Sequence, residues 1–531
     1  MADNGNAESK TTAKMSRDAG KMSMLIIISR ITGFLRTWGQ AFALGVSGIA
    51  SCYSIANNLP NQLYELVVGG MLVTAFLPVY VSEKARNGKD GASRYASNLV
   101  SIVSLLMLVV SVVSIVFAVQ VVWTQSFSAT SSFDSGLAAW LYRFFAIEIL
   151  LYTLSSVLSG ILNAEREYVW SSAAPIFNNF VIFGSFVAYA MLHIDNPQLA
   201  LLIIAIGNPI GVLAQVLVQV PQLRRLGIRL VPRIDIHDPL LRETLSIGLP
   251  TFAVMLVSFV TASFQQSATL SVTESGASVS YYARLWYTLP YAVLAVPITT
   301  TSFTELSALY AKNDMESYRS MCSRGMGQQL FLMIPMAVLL VVFSAPLVSL
   351  FGFTQDGLRM TSEYLVGLAV ALPFYAIAMY YQKVCSSLRM MGAFAIANVI
   401  AGVVQCIMCQ FLTSAFGLPI VALSTAAFML IVCIVSTVLV RRRIGSMGLR
   451  RVSVSCVHGA VVAVVSGAVG ALVLFLLSCI GIKSGSGIMP AVIQCGVAGI
   501  AGLLVGFFAG VRLGFDELGS VKRLVRRIIN R

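Results

Sequence analysis

Two arginines, Arg30 and Arg36, lie inside an apolar segment that runs from Met22 to Leu44. About 20 helical residues cross the hydrocarbon core of a bilayer, so this segment is long enough to do so. A guanidinium at the bilayer centre costs about 2.5–3.5 kcal/mol, and such residues nearly always face a bundle interior or a water-filled cavity. Arginine also suits phosphate, because its planar fork donates paired hydrogen bonds and keeps its proton. The pattern predicts a cavity that receives an anion.

The two arginines are six residues apart, which on an ideal helix rotates them by about 120° and separates them by about 9 Å. The two residues therefore do not lie on the same face of the helix, but both side chains are long enough to reach one wide cavity. Gly33 between them is a candidate hinge. The alternative to anion binding is an ion pair that stabilises the fold. Glu65 and Glu148 are the acidic partners that this alternative requires.

The next apolar segment, Ala50 to Tyr80, is rich in residues that interrupt helices or bind polar groups. We expect it to bend or break near Pro60, because the proline ring removes a backbone hydrogen bond. Backbone freed at membrane depth must line protein or water. The candidate substrate-binding residues here are Asn57 and Asn61, and the candidate hinges of the whole chain are Gly33, Pro60, Gly69, Gly70 and Pro290.

A third arginine, Arg284, lies in the stretch Y-Y-A-R-L-W-Y-T-L-P of the second half of the chain. It is predicted to assist anion binding, with snorkelling to the nearer membrane surface as the alternative. Arg143 and Glu148 are five residues apart and could pair with each other or with other charges of the N-lobe; we interpret their role as structural.

No catalytic set emerges from the sequence. There is no phosphate-binding loop and no carboxylate pair spaced for acid–base chemistry, and Cys406 and Cys409 lie in an apolar helix without a second ligand pair. The three histidines are expected to lie in or beside loops without partners: His193, His237 and His458. We therefore predict a transporter rather than an enzyme, with no cofactor and no metal; whether an ion is coupled to transport is left open.

The composition of this chain indicates that it lies in a lipid bilayer. The apolar fraction is 57%, charged residues are 11%, and the mean hydropathy is +0.83. We predict an all-α polytopic membrane protein with about fourteen transmembrane helices and no cleaved signal peptide. The predicted divisions are a cytoplasmic tail (1–21), an N-lobe of six spans (22–223), a cytoplasmic connector (224–242), a C-lobe of six spans (243–440), a basic connector (441–454), two further helices (455–511) and a basic amphipathic tail (512–531).

The net charge of +14 is explained by where the basic residues lie. Of the 36 Lys and Arg residues, 29 fall in the two tails and the even-numbered loops between predicted spans. By the positive-inside rule this places both termini in the cytoplasm of a cytoplasmic membrane. The charge therefore sets topology and meets membrane lipids, and no nucleic-acid partner is predicted.

Several motifs resemble the MurJ/MviN family of lipid II flippases. They are S-R-I-T-G-F-L-R (29–36), N-N-L-P-N (57–61), G-G-M-L-V-T-A-F-L-P-V (69–79), S-G-I-L-N-A-E-R (159–166), A-A-P-I-F-N-N (173–179) and G-V-L-A-Q-V-L-V-Q-V-P-Q-L-R-R-L-G (211–227). The likeness covers the whole length, and the chain resembles actinobacterial members in its departures from the family pattern. It departs from the family pattern at four positions. This chain has Thr37 and Ser51 where the family usually has acidic residues, and Tyr64 followed by Glu65 where many members have an arginine. Arg284 lies one residue before the position at which the family has its cavity arginine.

The resemblance implies fourteen spans of the multidrug/oligosaccharidyl-lipid/polysaccharide exporter superfamily, with the last two helices forming a lipid groove. It implies alternating access, in which the pyrophosphate of lipid II meets Arg30, Arg36 and Arg284 in a central cavity while the undecaprenyl tail stays in lipid. Cell-wall synthesis proteins are candidate partners. The alternatives are an exporter of another polyprenyl-linked glycan or of drugs, and a non-transporting scaffold for cell-wall synthesis.

Overall fold

The computed structural model describes residues 24–69 and 76–518, with the side chains of residues 69 and 245–251 left aside. Three predicted features lie outside the described residues: the amino-terminal tail, the hinge residue Gly70 and most of the basic carboxy-terminal tail. Within the described ranges all regular structure is helical. The predicted all-α fold class is confirmed.

The helices follow one another with short connections. In chain order they are α1 (24–44), α2 (Gly48–Tyr64), α3 (Leu77–Val116), α4 (Ala118–Trp123), α5 (Ser135–Phe145), α6 (Glu148–Ala164), α7 (Tyr168–Leu192), α8 (Pro197–Leu217), α9 (Val220–Arg225), α10 (Pro239–Val272), α11 (Gly276–Pro290), α12 (Val296–Ala311), α13 (Met315–Val342), α14 (Ser344–Ser349), α15 (Gln355–Ser387), α16 (Met391–Ile407), α17 (Thr413–Phe416), α18 (Leu418–Ile444), α19 (Leu449–Cys479), α20 (Ile488–Ile493) and α21 (Gly499–Arg512). Single π turns lie at Glu65–Gly69, Tyr291–Ala295, Met408–Leu412 and Gln494–Ala498, and a 3₁₀ turn at Asp516–Leu518.

Twelve helical segments of the described ranges are long and apolar enough to cross a membrane. They correspond in order to predicted spans three to fourteen. The first two predicted spans are helical over 24–44 and from Gly48 to Gly69. The chain is a multi-pass membrane protein.

One loop that the sequence predicts is replaced in the structure by helix. The region between predicted spans two and three is helical, and α3 runs through it with a single non-helical residue, Gly88, at φ 68° and ψ −164°. A side chain would be strained at that φ, whereas glycine adopts it readily. The basic residues expected in a loop therefore lie on helix turns that flank one kinked position.

Local capping explains several of the other breaks. The side chains of Asp134, Asn196 and Asp314 each accept a hydrogen bond from a backbone N–H at the start of α5, α8 and α13. Such caps satisfy donors that the first helical turn leaves unpaired. At the other end, α18 terminates at Gly445, whose φ of 82° ends the helix in the conformation that glycine allows.

The helices form two compact units. The first comprises residues up to Leu44, Cys52–Gln125 and Asp134–Phe259, and the second comprises Gly45–Ser51, Ser126–Phe133 and the chain from Val260 onward. The predicted lobe boundaries at 223 and 243 are a sequence interpretation, and they stay a prediction.

In the first unit, α3, α6, α8 and α9 enclose an apolar core, and α7 packs along α8. The connector after α9 is held against α3: the Asn98 amide donates to the Asp235 carbonyl at 2.9 Å and its side-chain oxygen accepts from the Asp235 N–H at 2.7 Å. The predicted cytoplasmic connector thus packs against α3 and is not a free linker.

In the second unit, α13 packs on both α15 and α19, and α15 packs on α18. Small residues bring the last helices together. A Cβ on Gly506 would lie 1.8 Å from Ser466 Oγ, and one on Gly502 would lie 2.8 Å from the Ser466 carbonyl oxygen. The backbones of α19 and α21 therefore approach more closely than larger side chains would permit.

Candidate substrate-binding arginines

The helix that carries Arg30 and Arg36 is fixed by polar contacts to α7. The buried Asn179 amide donates to Thr32 Oγ1 at 3.1 Å and to the Ser29 carbonyl at 3.4 Å. Gly33 faces this amide, since a Cβ there would lie 3.6 Å from Asn179 Nδ2. Two of the sequence motifs are therefore in direct contact, and Asn179 sets the position of the arginine-bearing turn.

A second anchor holds the other end of α1. Gln40 Nε2 donates to Ser54 Oγ of α2 at 3.1 Å, and both residues are buried. Gly39 packs on the ring of Phe183, where a Cβ would come within 2.7 Å. With contacts at both ends, α1 is a continuous helix across Gly33, without a break at this predicted hinge, and the role of Gly33 in motion stays a prediction.

The two arginines of α1 have different surroundings. Arg30 is exposed, whereas Arg36 is partly buried and acts electrostatically on the carboxyl group of Glu148. Glu148 is 0% exposed, and within the described residues neither of its carboxylate oxygens accepts a hydrogen bond. Of the two explanations proposed from the sequence, the structural alternative is supported at Arg36 by this electrostatic influence on Glu148, without a hydrogen bond to the carboxylate, and has no such support at Arg30.

Glu148 lies at a discontinuity in the fourth predicted span. Helix α5 ends at Phe145, and α6 begins at Glu148 itself. The unpaired N–H groups of a helix start carry partial positive charge, so a carboxylate at the first position is favoured. Arg143 is exposed on α5. Of the two pairings left open by the sequence, Arg143 with Glu148 is wrong, because Arg143 is exposed whereas Glu148 is fully buried. The other pairing, Glu148 with a different charge of the N-lobe, is supported by the influence of Arg36.

Arg284 is held by a neutral partner in the second unit. It lies on α11, partly buried, and its Nη2 donates to Oε1 of Gln265 on α10. The electrostatic influence of this guanidinium also reaches the phenol groups of Tyr287 and Tyr364. Sequence analysis did not identify Gln265 as a functional residue. In sequence, an amide in an apolar helix cannot be distinguished from any other buried polar residue.

Asn57 and Asn61 lie one turn apart on α2, both partly buried. Asn61 Nδ2 makes a long 3.5 Å contact to Oε1 of Glu65, which is exposed. The expected bend at Pro60 is displaced: α2 continues through the proline to Tyr64, and the irregularity is the π turn that begins at Glu65. A proline inside a helix removes one backbone hydrogen bond. A wider π turn nearby accommodates this loss without ending the helix.

Pro290 shows the same arrangement in the second unit. It is the last residue of α11, and the π turn Tyr291–Ala295 follows at once. Single π turns are frequent at functional sites. Both predicted proline hinges are therefore next to a helical irregularity, and their role in motion stays a prediction.

The expectation that the three histidines lack partners is wrong for His193, whose Nδ1 lies 3.0 Å from the Ala190 carbonyl oxygen and whose ring stacks on Tyr189. It is also wrong for His458. This residue lies inside α19, its Nδ1 is 3.1 Å from Glu517 Oε2, and its ring stacks on Phe515 with 4.0 Å between centroids. Burial alone would raise the pKa of Glu517, but hydrogen bonds from Ser455, the Glu517 backbone and His458 hold it below its usual value. A tertiary contact 59 residues apart in sequence cannot be read from a single histidine.

Comparison with known proteins gives a consistent result. A family described as lipid II flippase MurJ matches residues 40–484. This range includes Arg284, Asn57 and Asn61 and begins after Arg30 and Arg36.

Curated relatives carry the same description. The chain is 26% identical to "Probable lipid II flippase MurJ" of Rhizobium meliloti (strain 1021), over 65% of this chain and 64% of that protein. It is 25% identical to "Lipid II flippase MurJ" of Burkholderia cenocepacia, over 67% of this chain and 69% of that protein. The chain thus spans slightly less than two thirds of the Rhizobium relative.

Solved structures share the fold. One described as lipid II flippase MurJ in an inward closed conformation superposes with a TM-score of 0.72, at 19% identity, over 93% of this chain and 99% of that one. An inward-facing multidrug resistance MATE transporter superposes with a TM-score of 0.66, at 15% identity, over 79% and 95% of the two chains. At these identities the likeness establishes the fold alone.

Proposed function

This chain belongs to the MurJ family, and we propose that it flips lipid II across the cytoplasmic membrane by alternating access, for cell-wall synthesis. The observation that carries the proposal is the family match over residues 40–484. The all-helical fold with twelve or more membrane-crossing helices is the architecture that such transport requires. Lipid II is the proposed substrate, and membrane lipids and cell-wall synthesis proteins are the proposed partners.

The chemistry of the head group favours the three arginines as its ligands. Lipid II carries a pyrophosphate, and a guanidinium can donate two parallel hydrogen bonds to phosphate oxygens without losing its charge. Within the described residues Arg30 has neither a hydrogen bond nor an ion pair. We assign Arg30 as the principal anion ligand of the first unit, and Arg36, whose charge also acts on the buried Glu148, as the weaker one. Arg284 of the second unit is a further candidate anion ligand, and Asn57 and Asn61 are candidate neutral donors.

The isoprenoid tail is proposed to remain in lipid beside α19 and α21. Both helices expose large apolar side chains: Val464 is 69% exposed, Phe475 64% and Phe508 60%. Such surface is costly in water and ordinary in a bilayer. The close α19–α21 contact through small residues leaves those faces turned outward.

Orientation is proposed from the basic residues, with both termini in the cytoplasm. Accessibility tags at Gly88, Gly227 and Ser446 are expected to label from the cytoplasmic side, and a tag at Thr130 from the outside. If Gly227 and Thr130 label from the same side, the assignment of spans is wrong.

Complementation tests the function itself. A cell depleted of its own lipid II flippase is expected to resume growth and wall synthesis when it expresses this chain. Arg30→Ala is expected to abolish rescue while the protein inserts at the wild-type level, and Arg30→Lys to rescue only partially, since lysine keeps the charge and loses the fork. Arg359→Ala and Lys483→Ala, which leave the arginines of α1 unchanged, serve as matched charge-removal controls and should rescue fully.

Drug export is the competing activity on this fold. A cationic drug would call for acidic ligands, whereas the side chains proposed as ligands here are arginines and asparagines. A chain that raises drug resistance and fails to rescue the depleted cell would favour the drug-export alternative.

A further inference from the structure

Gln265 is the centre of a buried polar network in the second unit. It lies on α10 and is 4% exposed. Its Nε2 lies 2.9 Å from Thr425 Oγ1, 3.2 Å from the Tyr364 hydroxyl and 3.4 Å from the Val421 carbonyl oxygen. The amide is thereby tied to α15 and α18 at once.

These contacts determine which way the side-chain oxygen of Gln265 points. An amide has two N–H donors at one end and one carbonyl acceptor at the other, so donors committed to Thr425 and Tyr364 leave Oε1 to face Arg284. Arg284 Nη2 donates to that oxygen. An arginine side chain otherwise samples many rotamers, and a fixed acceptor removes part of that freedom before a ligand arrives.

The chemical identity of the acceptor matters as much as its position. An amide oxygen accepts a hydrogen bond without carrying a charge, so the guanidinium keeps its full positive charge for another partner. In the first unit, by contrast, Arg36 acts on the carboxyl group of Glu148. A carboxylate at position 265 would orient Arg284 equally well and would compete with any incoming anion.

We propose that Gln265 is a positioning residue for substrate binding: it fixes the Arg284 guanidinium toward an anionic oxygen of the lipid-linked head group and leaves its charge uncompensated. The inference rests on the proposed function, since it takes Arg284 to contact the head group. Tyr364 and Thr425 act one step further out, because they fix the amide.

The test uses the purified full-length chain in lipid nanodiscs, with lipid II as the titrated probe. Arg284→Ala is expected to weaken lipid II binding by roughly tenfold to a hundredfold, the effect of one or two charge-assisted hydrogen bonds. Gln265→Leu is expected to weaken binding by most of that factor. The double variant Gln265→Leu/Arg284→Ala should bind no more weakly than Arg284→Ala alone, because Gln265 acts through the arginine.

Gln265→Glu separates charge from position. The hydroxyls of Tyr364 and Thr425 can rotate to donate to the new carboxylate, which then pairs with Arg284. This variant should insert and unfold at a temperature no lower than Gln265→Leu, yet bind lipid II as weakly as Arg284→Ala. A purely structural role for Gln265 predicts the opposite, with near-normal binding in whichever variant retains the fold.

Gln329→Leu is the matched control. Gln329 is also fully buried in the second unit, and its Nε2 donates to Thr299 Oγ1 at 2.6 Å, with no arginine in that contact. The substitution removes the same group from a similar environment. It is expected to lower the unfolding temperature and to leave lipid II affinity unchanged.

The outcomes are distinguishable. If the wild-type chain binds no lipid II and rescues no flippase-depleted cell, the proposed function fails and this role fails with it. If the wild-type chain binds lipid II but Gln265→Leu binds normally, or if the losses from Gln265→Leu and Arg284→Ala multiply in the double variant, the inference alone is overturned.

Discussion

Arg36→Ala is expected to destabilise the protein, whereas Arg30→Ala is not, although both residues lie on the same helix. Glu148 is 0% exposed and has no hydrogen-bond donor within the described residues, so Arg36 and the start of α6 are the positive influences on it. Removing Arg36 leaves a buried acidic group without its counter-charge. Arg30 is exposed, and its removal leaves no buried group unpaired.

The expected magnitudes differ several-fold. Neither oxygen of Glu148 accepts a hydrogen bond among the described residues, so Arg36 acts on this group through its charge alone. Leaving a buried polar group uncompensated costs about 1–3 kcal/mol, which is the expected loss for Arg36→Ala. Substitution of an exposed residue usually changes stability by no more than about 0.5 kcal/mol, which is the expectation for Arg30→Ala.

A second substitution identifies the cause. Glu148→Gln in the Arg36→Ala background replaces the uncompensated acid with a neutral amide of similar shape, which costs far less to bury. The double variant Arg36→Ala/Glu148→Gln should recover most of the lost stability. It should not recover full rescue of a flippase-depleted cell, because the arginine that contributes to head-group binding is still absent.

Thermal unfolding of the purified variants, together with the amount of membrane-inserted protein, measures the effect. The reasoning is refuted if Arg36→Ala unfolds at the wild-type temperature, or if adding Glu148→Gln lowers that temperature further. Full rescue by the double variant would show that Arg36 has only the structural role.

Two further predictions concern the last helices. Gly502→Ala should lower the amount of inserted protein, at a cost of about 1–3 kcal/mol for overpacking, since its Cβ would lie 2.8 Å from the main-chain carbonyl oxygen of Ser466, which cannot rotate away. Gly499→Ala meets nothing within 4 Å and should be silent; equal levels of the two variants would contradict the close packing. The pKa of Glu517 is lowered in the folded chain, so its contacts stabilise the protein above the ordinary pKa of about 4.5 and lose that effect as pH falls through the lowered value. The unfolding temperature of wild type should thus fall toward that of Glu517→Gln as the pH is lowered below about 4.5, with pH-resolved melting curves as the measurement and a pH-independent difference as the contradicting result.

Much of the architecture could be predicted from the sequence because it depends on local composition. Apolar runs of sufficient length located predicted spans three to fourteen, which all appear as helices. Residues such as Asp134 and Asn196 mark helix starts through their own side chains. The family resemblance carried by motifs along the whole chain was confirmed by the match over residues 40–484.

Pairing of distant side chains could not be predicted in this way. A single sequence does not say that Asn179 holds the turn of Thr32, that Glu517 reaches His458, or that Gln265 lies beside Arg284. Each of these contacts joins different helices, and each depends on helix rotation and on where a span is interrupted. The sequence likewise left open whether Glu148 pairs with Arg143 or with another charge of the N-lobe, and only the structure favours Arg36.

The amino-acid sequence by itself thus determined that the chain lies in a lipid bilayer, that its fold is helical and which types of side chain are candidate ligands. It could do so because hydropathy and charge are properties of single residues. Only the tertiary structure decided which arginine is compensated and which is free to act. Arg36 lies near a buried acid and Arg284 beside a buried amide, while Arg30 is exposed. Three identical side chains differ in these surroundings because burial and partner identity are properties of packing between helices, and those properties set how much of a guanidinium's charge remains for a ligand.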